Sequence, residues 1–352
     1  MIPIFINILI LLCLSVNPII LIIIIFYNYS MCTAVNFKNK YFGRNLDLEF
    51  NFKNEIVITP RNFCFNLLNK KKFNIKFAII GMAIVVDNYP LYFDAMNENG
   101  LAIAALNFNG YAKYNLPSED KINITTFEFI PFLLGSCKNL TEAVDLIAQI
   151  NLTNQSFSNH LPLTPLHWII TDLTGKTITI ESTTNGLEII DNQVGVLTNS
   201  PNFNFHIQNL ANYCSLTNQS PKNNFANYGV NIYSRGMGAI GLPGDFSSAS
   251  RFIKAAFVKK FSVCGDDTIS CITQFFKILN SVAQVNGNVI TETNEYEYTI
   301  YSSCMDLEKS TYYYQTYNNS QISAVELKNN FLNSDKLITY PLVDTQKINF
   351  QN

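Results

Sequence analysis

Short runs of apolar and β-branched residues, each ended by Asn, Gly, Asp or Pro, dominate the chain after residue 31. Runs of this length between turn residues are typical of β-strands. Since many neighbouring runs are only a turn apart, they favour antiparallel hairpins. The predicted strands are 33–37, 55–59, 77–86, 91–95, 101–106, 167–171, 177–181, 187–190, 298–305 and 311–316.

Apolar positions three and four residues apart predict helices at 126–150, 247–261 and 267–285. The clearest amphipathic part of the first is 141–147. The polar, Asn-rich stretch 204–230 predicts a long surface excursion. Helices grouped between hairpins indicate a layered α+β architecture. The length alone would allow two domains, but no Gly-, Ser- or Pro-rich linker divides the body.

Residues 1–30 differ from the rest because they contain no Asp, Glu, Lys or Arg. A transmembrane helix needs about 20 apolar residues, and here Asn17 and Pro18 interrupt the run. A secretory signal has a basic start and a small-residue cleavage site, and neither is present. Three hypotheses remain open: an extension upstream of a true start at Met31, a cleaved export signal, and a retained membrane anchor.

The amino-acid composition argues against several classes of function. Hydrophobic residues make up 48% of the chain, charged residues only 14%, and the formal net charge is −2. A nucleic-acid binder is therefore excluded, because nothing supplies the basic field that phosphates require. The 8 cysteines form no C-x-x-C pair, so scattered structural thiols are expected rather than a zinc or redox site.

The chain has only 3 histidines, and a Cys–His or Ser–His pair would have to use one of them. His167 lies in an apolar run, which predicts a buried, hydrogen-bonded ring. His160 and His206 lie in polar stretches and are predicted at the surface. The Gly-rich segment 235–245 lacks the context of a phosphate loop, so it is interpreted as a loop entering the helix near Ser247.

The most informative local motif is Met31-Cys32-Thr33. If Met31 is the initiator, the small residue after it allows its removal and leaves Cys32 with a free α-amine. Such an amine has a pKa of about 7.7–8.0. One residue could then supply both nucleophile and general base without any histidine.

Several further stretches complete a pattern with this motif along the chain. They are 42–47 (FGRNLD), 96–101 (MNENGL), 106–108 (LNF), 166–168 (LHW), 196–201 (VLTNSP), 241–246 (GLPGDF) and 249–252 (ASRF). In this order they resemble the choloylglycine hydrolase family of N-terminal-nucleophile hydrolases, which includes bile salt hydrolases and penicillin V acylases. The resemblance runs from Met31 to the C-terminus.

The resemblance implies a four-layer αββα sandwich of two antiparallel sheets between helical layers. It implies one catalytic domain at 32–352, with 1–31 absent from the mature enzyme as a leader or a mis-assigned upstream extension. It also implies a homotetramer and no metal or organic cofactor.

The same resemblance places six residues at the active centre: Cys32, Arg44, Asp47, Asn107, Asn199 and Arg251. Cys32 would be the nucleophile with its α-amine as base, and Asp47 would orient both. Asn107 and Asn199 would supply an oxyanion hole, and Arg251 would lie beside the thiol. This assignment suits amide hydrolysis, because the tetrahedral oxyanion needs fixed donors.

The implied substrate is a glycine- or taurine-conjugated bile salt, with an apolar steroid and an anionic arm. Loops at 51–60 and 127–134 could form the apolar pocket. Asn107 favours the bile-salt branch, because penicillin V acylases tend to carry Tyr at the matching position.

Other functions remain open. The enzyme could be a penicillin V or N-acyl-homoserine-lactone acylase of the same family, or a thiol hydrolase with a Cys–His pair. Retention of 1–30 would block the Cys32 amine and give a membrane-anchored, inactive binding protein. The expected location is cytoplasmic if translation starts at Met31, and exported or membrane-associated through 1–30 otherwise.

Overall fold

The computed structural model describes residues 31–69, 71–159, 161–328 and 332–352. The predictions made for 1–30 and for His160 lie outside these ranges. Within them, the structure has no helix with the length and apolar character that crossing a membrane requires.

The described residues form strands whose bounds, in chain order, are as follows. The strands are β1 Cys32–Phe37, β2 Tyr41–Leu48, β3 Glu55–Thr59, β4 Cys64–Asn66, β5 Lys72–Asn74, β6 Ile79–Val86, β7 Tyr89–Asn97, β8 Ala102–Asn107, β9 Ile122–Ile124, β10 Ile150–Leu152, β11 Leu166–Thr171, β12 Thr177–Thr183, β13 Gly186–Asp191, β14 Val196–Leu197, β15 Val289–Ile290, β16 Tyr296–Asp306, β17 Thr311–Thr316, β18 Asn319–Glu326 and β19 Ile338–Pro341.

The helices begin and end at the following residues. They are α1 Phe129–Ser136, α2 Leu140–Ile147, α3 Phe203–Leu210, α4 Ser248–Phe261 and α5 Thr268–Asn280, with short 3₁₀ turns at Ala211–Tyr213, Ala226–Tyr228 and Met237–Ala239.

Most strands belong to two large sheets. Among the described residues, the first sheet has seven strands in the order β14–β1–β2–β16–β17–β18, with β15 paired to β16. The second has eight, in the order β13–β12–β11–β8–β7–β6–β3–β19. The pairings in both sheets are antiparallel, as the short turns between strands predicted.

The two sheets pack face to face, and helices cover their outer faces. Alternation along β3 shows this: Ile56 and Ile58 join the core that contains Phe42 of the first sheet, whereas Val57 joins the core under α1. Helix α1 packs on β6, β7 and β8, while α4 packs on β1 and α5 on β2 and β16. The layers are therefore helix, sheet, sheet, helix, which confirms the αββα sandwich.

The hairpin of β1 and β2 positions the start of the described chain. Cys32 pairs with Leu46, and Ala34 pairs with Arg44. The two strands are joined by a tight turn in which Lys38 and Asn39 have φ values of 49° and 62°. Because side chains alternate along a strand, Cys32 and Arg44 share one face of this hairpin.

Each of the ten predicted strands is present, with ends that differ by a few residues at most. The helix prediction at 126–150 is wrong in its extent. Cys137 is extended and ends α1, the Asn139 side chain accepts the Glu142 N–H to cap α2, and the segment ends in β10. The helix predicted at 267–285 stops at Asn280.

Two further differences concern polar segments. Strand β2 was not predicted, because Arg44, Asn45 and Asp47 break its apolar pattern although all three are buried. The excursion predicted at 204–230 begins inside helix α3, which buries Phe203 and His206, and the chain beyond the helix is largely exposed.

Candidate active site

Cys32 is the first residue of β1, and its side chain is almost completely buried. An Nη2 group of Arg44 donates a hydrogen bond to its sulfur. Burial raises the pKa of the Cys32 thiol, and the guanidinium of Arg44 opposes this effect by favouring the thiolate. The fraction of Cys32 present as thiolate, and therefore its reactivity, depends on the balance between burial and the charge of Arg44.

The Arg44 side chain reaches from the first sheet to the second. Nη1 donates to the carbonyl oxygens of Phe93, at 3.3 Å, and of Ala105. Nε donates to the Asn45 carbonyl oxygen at 3.3 Å. These main-chain acceptors fix the plane of the guanidinium and aim Nη2 at the Cys32 sulfur.

A buried carboxylate, Asp94 on β7, lies near this cation. Oδ1 accepts the Tyr301 hydroxyl at 2.5 Å, and Oδ2 accepts the hydroxyls of Tyr312 at 2.6 Å and Ser303 at 2.8 Å. Ser303 Oγ also accepts the Arg44 backbone N–H at 3.1 Å, so its own proton points to Asp94. Burial raises the pKa of Asp94, while Arg44 and the three hydroxyls stabilise its ionised form.

Arg251 approaches from the opposite side, in the first turn of α4. Nη1 donates to the Cys32 carbonyl oxygen and, at 2.8 Å, to Thr33 Oγ1, while Nε donates to the Phe246 carbonyl at 3.0 Å. Nη2 donates to Asn199 Oδ1 at 2.7 Å. The resemblance implied that Arg251 lies beside the thiol. In the structure it binds the main chain of Cys32, and the guanidinium on the sulfur is that of Arg44.

Asn199 connects these groups just after β14. Its Oδ1 accepts the backbone N–H of Cys32 at 2.7 Å. Its Nδ2 donates to the carbonyl oxygen of Asn107 at 3.0 Å. Asn107 is the last residue of β8 and lines the pocket that contains Cys32. Two side-chain amides therefore lie close to the thiol-bearing residue.

Asp47 is buried near the end of β2. Oδ1 accepts the Thr299 hydroxyl at 2.6 Å, whereas Oδ2 has no hydrogen-bond partner among the described residues. Its backbone N–H donates to the Met31 carbonyl at 3.0 Å. Burial raises the pKa of Asp47 to about 6, against the opposing effects of Arg251, Thr299 and Arg44.

An apolar pocket opens beside Cys32 and Arg44. Its walls come from side chains within 46–52, 84–93, 126–130 and 157–166. The segments predicted as pocket loops contribute Phe52, Phe127 and Ile130, although Ile130 lies in α1 and not in a loop. The contributions from β2, β6 and β7 were not predicted, because the polar residues of β2 hide its strand pattern and the unbroken apolar run of β6 does not indicate which face lines a pocket.

The histidines give one confirmed and one wrong prediction. His167 is buried and hydrogen-bonded as predicted, with Nε2 at 2.8 Å from the Thr198 carbonyl oxygen. His206 was predicted at the surface, but it is fully buried in α3. Phe203, Ile207 and Leu210, which are spaced four and three residues apart, were the signal for a partly buried helix here.

Apart from Cys32, the described thiols include one close pair, Cys264 and Cys271, whose sulfur atoms are 3.6 Å apart. The described cysteines are all free, and no group of three or more His, Cys, Asp or Glu in the described ranges could hold a metal ion. Cys137, Cys271 and Cys304 are buried, as predicted for structural thiols, whereas Cys64 and Cys214 are exposed.

The structure thus brings the six predicted site residues together around Cys32. Residues that sequence reasoning missed support them: Asp94 near Arg44, Thr299 on Asp47, and Glu297, whose carboxylate accepts the Met31 N–H. Burial raises the pKa of Glu297 to about 8. Polar residues inside otherwise apolar strands were the only signal for these positions.

Comparisons with solved structures identify the class of fold. The chain superposes on a variant of conjugated bile acid hydrolase from Clostridium perfringens with a TM-score of 0.85 and 39% identity, covering 91% of this chain and 100% of that one. Penicillin V acylase from Agrobacterium tumefaciens gives a TM-score of 0.67 at 16% identity, covering 89% of this chain and 91% of that one, and so shares the fold. The fold is that of N-terminal-nucleophile hydrolases.

Comparisons of sequence then identify the family. Residues 30–340 match the linear amide C–N hydrolases, choloylglycine hydrolase family, and the chain belongs to this family. It is 49% identical to the bile salt hydrolase/transferase of Lactiplantibacillus plantarum, over 89% of this chain and 97% of that protein. It is 40% identical to the bile salt hydrolase/transferase of Clostridium perfringens, over 92% of this chain and 100% of that protein.

The contact between Arg44 and the Cys32 sulfur can be tested without any substrate. Replacing Arg44 by Met removes the cation and keeps an unbranched side chain, so the thiol pKa should rise by at least about one unit. The measurement is the pH midpoint of Cys32 alkylation by iodoacetamide, followed on the Cys32 peptide by mass spectrometry. Arg44→Lys, which keeps a positive charge, should shift the midpoint less. An unchanged midpoint in folded Arg44→Met protein would contradict this account.

Proposed function

We propose that this enzyme hydrolyses the amide bond of glycine- or taurine-conjugated bile salts. The observation that carries the proposal is the identity of 49% and 40%, over nearly the full length, with relatives named for bile salt hydrolysis. The pocket beside Cys32 supports it, because apolar side chains within 46–52, 84–93, 126–130 and 157–166 suit a steroid body. Asn107, rather than Tyr, stands at the position that the resemblance links to the bile-salt branch.

In the proposed mechanism, Cys32 supplies both nucleophile and base. Its thiol proton moves to its own α-amine, and the thiolate attacks the amide carbon of the substrate. Asp47 Oδ2, which lacks a partner among the described residues, accepts a hydrogen bond from that amine. Arg44 stabilises the thiolate through its bond to the sulfur.

The tetrahedral intermediate places a negative charge on the former carbonyl oxygen. The amides of Asn107 and Asn199 stabilise this oxyanion, at about 3–4 kcal/mol for a well-placed donor. The C–N bond then breaks as the ammonium group returns its proton to the leaving nitrogen, so glycine or taurine departs. Water, deprotonated by the same amine, attacks the remaining thioester and releases the bile acid.

The substrate class is tested by comparing conjugates with the same purified enzyme. Glycocholate or taurocholate should be hydrolysed, and Cys32→Ala should abolish release of glycine or taurine, because no nucleophile remains. Amino acid release and free bile acid are measured together. Hydrolysis of penicillin V or an N-acyl-homoserine lactone, without hydrolysis of either conjugate, would favour the alternative acylase function instead.

We further propose that the mature enzyme is a single catalytic domain at 32–352. The base in this mechanism is a free α-amine, so every residue before Cys32 must be absent from the active protein. Two acceptors support a terminal amine here. Asn199 Oδ1 lies 2.7 Å from the Cys32 nitrogen, and Asp47 Oδ2 is buried without a partner in the described ranges.

This maturation predicts a distinctive N-terminus. Active protein should have the intact mass of a chain that starts at Cys32, and it should condense with an aldehyde to a thiazolidine, a reaction that requires an amine and a thiol on one residue. Internal cysteines such as Cys264 provide the built-in control, because their nitrogen is in a peptide bond. Activity in protein that retains Met31 would contradict the mechanism, and inactive protein that retains 1–30 would favour the anchored binding protein.

We also propose that the enzyme is a homotetramer, and that the segment after α3 makes contacts between copies. This segment exposes large apolar side chains, with Phe225, Tyr228 and Tyr233 at 64%, 74% and 83% exposure. Exposed apolar surface of this kind often marks an interaction site. A groove between α3 and α4 offers a complementary apolar surface on each copy. Contact with a second copy would cover both.

The assembly is tested by measuring mass in solution. The native protein should show about four times the chain mass, and the double variant Phe225→Asp, Tyr233→Asp should dissociate because two charges would be buried. Val263→Asp is the matched control, since Val263 is 85% exposed and lies outside the segment. A monomeric native protein, or an equally stable tetramer in the double variant, would overturn the proposal.

A further inference from the structure

Side chains from three separate elements hold the main chain around Asn199. The backbone N–H of Asn199 donates to Ser248 Oγ at 2.9 Å. Its carbonyl oxygen lies 2.9 Å from His206 Nε2 on α3. One residue earlier, the Thr198 carbonyl oxygen lies 2.8 Å from His167 Nε2 on β11. The backbone that carries the Asn199 amide is thus fixed on both sides of the residue.

His206 is placed to act as a neutral donor. Nε2 faces a carbonyl oxygen and must carry the proton, while Nδ1 has no hydrogen-bond partner among the described residues. Burial lowers the pKa of His206 to about 4, with the nearby charges of His167 and Arg251 acting in the same direction. The ring stacks on Phe252, with centroids 4.9 Å apart and planes at 22°. Phe252 directly follows Arg251 in α4.

His167 is held from two directions. Nε2 faces the Thr198 carbonyl oxygen, and Nδ1 lies 3.3 Å from a Glu181 carboxylate oxygen. The ring is therefore held by a polar partner at each nitrogen. The same ring stacks on Phe108, with centroids 4.4 Å apart and planes at 9°. Phe108 directly follows Asn107.

We infer that His206 and His167 are positioning residues that hold the Asn199 amide at the angle required for oxyanion stabilisation. This inference rests on the proposed function, in which Asn199 is one of the donors. Each histidine binds a carbonyl of the segment that carries Asn199. Each also packs on an aromatic ring adjacent to a second site residue, Arg251 or Asn107. Neither histidine lines the pocket beside Cys32.

A matched pair of substitutions isolates the hydrogen bond of His206. Leu and Gln are of similar size, and both remove the imidazole ring. Gln keeps a donor, because its Nε2 is the same number of bonds from Cα as His Nε2 and can still donate to the Asn199 carbonyl oxygen. His206→Leu should lower kcat by about tenfold or more, since small misplacements of catalytic groups are costly, with KM changed by less than about threefold. His206→Gln should recover most of kcat. Rates are expressed per active site, titrated by alkylation of Cys32.

A wild-type kcat in His206→Leu, or equal loss in both variants, would overturn the inference. If His206→Leu does not fold, Ser248→Ala serves in its place, because it removes the hydroxyl that accepts the Asn199 N–H at a half-buried position. It should lower kcat several-fold at an unchanged KM, and no loss would overturn the inference.

Hydrogen exchange of the peptide that covers 196–201 tests the positioning role of His206 independently of the proposed function. Exchange should be faster in His206→Leu than in His206→Gln, whichever substrate the enzyme uses. If the native enzyme fails to hydrolyse both bile salt conjugates, the proposed function fails, and the exchange result alone decides the positioning role. Equal exchange in the two variants would overturn it.

Discussion

Burial of two arginine cations is the constraint on which this site depends. Arg44 and Arg251 are each 1% exposed, and a buried charge is tolerated only where opposite charges and hydrogen-bond partners surround it. Main-chain carbonyls from both sheets accept from Arg44, and the nearby carboxylates of Asp94 and Asp47 favour the charged forms of Arg44 and Arg251 respectively. The two sheets must therefore meet at a fixed distance and register here, and the sandwich cannot slide without exposing unpaired guanidinium groups.

The same constraint explains why an otherwise buried thiol can be reactive. Burial alone raises the pKa of the Cys32 thiol and would leave an inert structural cysteine. The Arg44 guanidinium, in contact with the sulfur, opposes that effect and favours the thiolate. The Arg44 charge lies at one end of the pocket, and most of the other side chains that form its walls are apolar.

Strands were predicted correctly where their buried residues are apolar. The prediction failed where the buried residues are polar. Regular apolar strands such as 55–59 and 311–316 were predicted with their observed ends. Strand β2 was not predicted, because its buried residues Arg44, Asn45 and Asp47 are polar. These polar residues give the strand the sequence pattern of a loop. The resemblance to a family supplied all six site residues, whereas Asp94 and His206 follow only from tertiary packing. His206 shows the limit most clearly, since the apolar spacing around it indicates a helix but does not indicate that a histidine ring fills its buried face.

The length of the hairpin of β1 and β2 determines which face of the sheet carries the Cys32 side chain. Its turn at Lys38 and Asn39 sets the pairing of Cys32 with Leu46, and the side chains alternate with a period of two. An insertion or deletion of a single residue between Cys32 and that turn would point the thiol towards α4 and α5, away from Arg44 and the pocket. Natural variants of this chain should therefore keep the site residues that the hairpin carries and change its length only in pairs of residues.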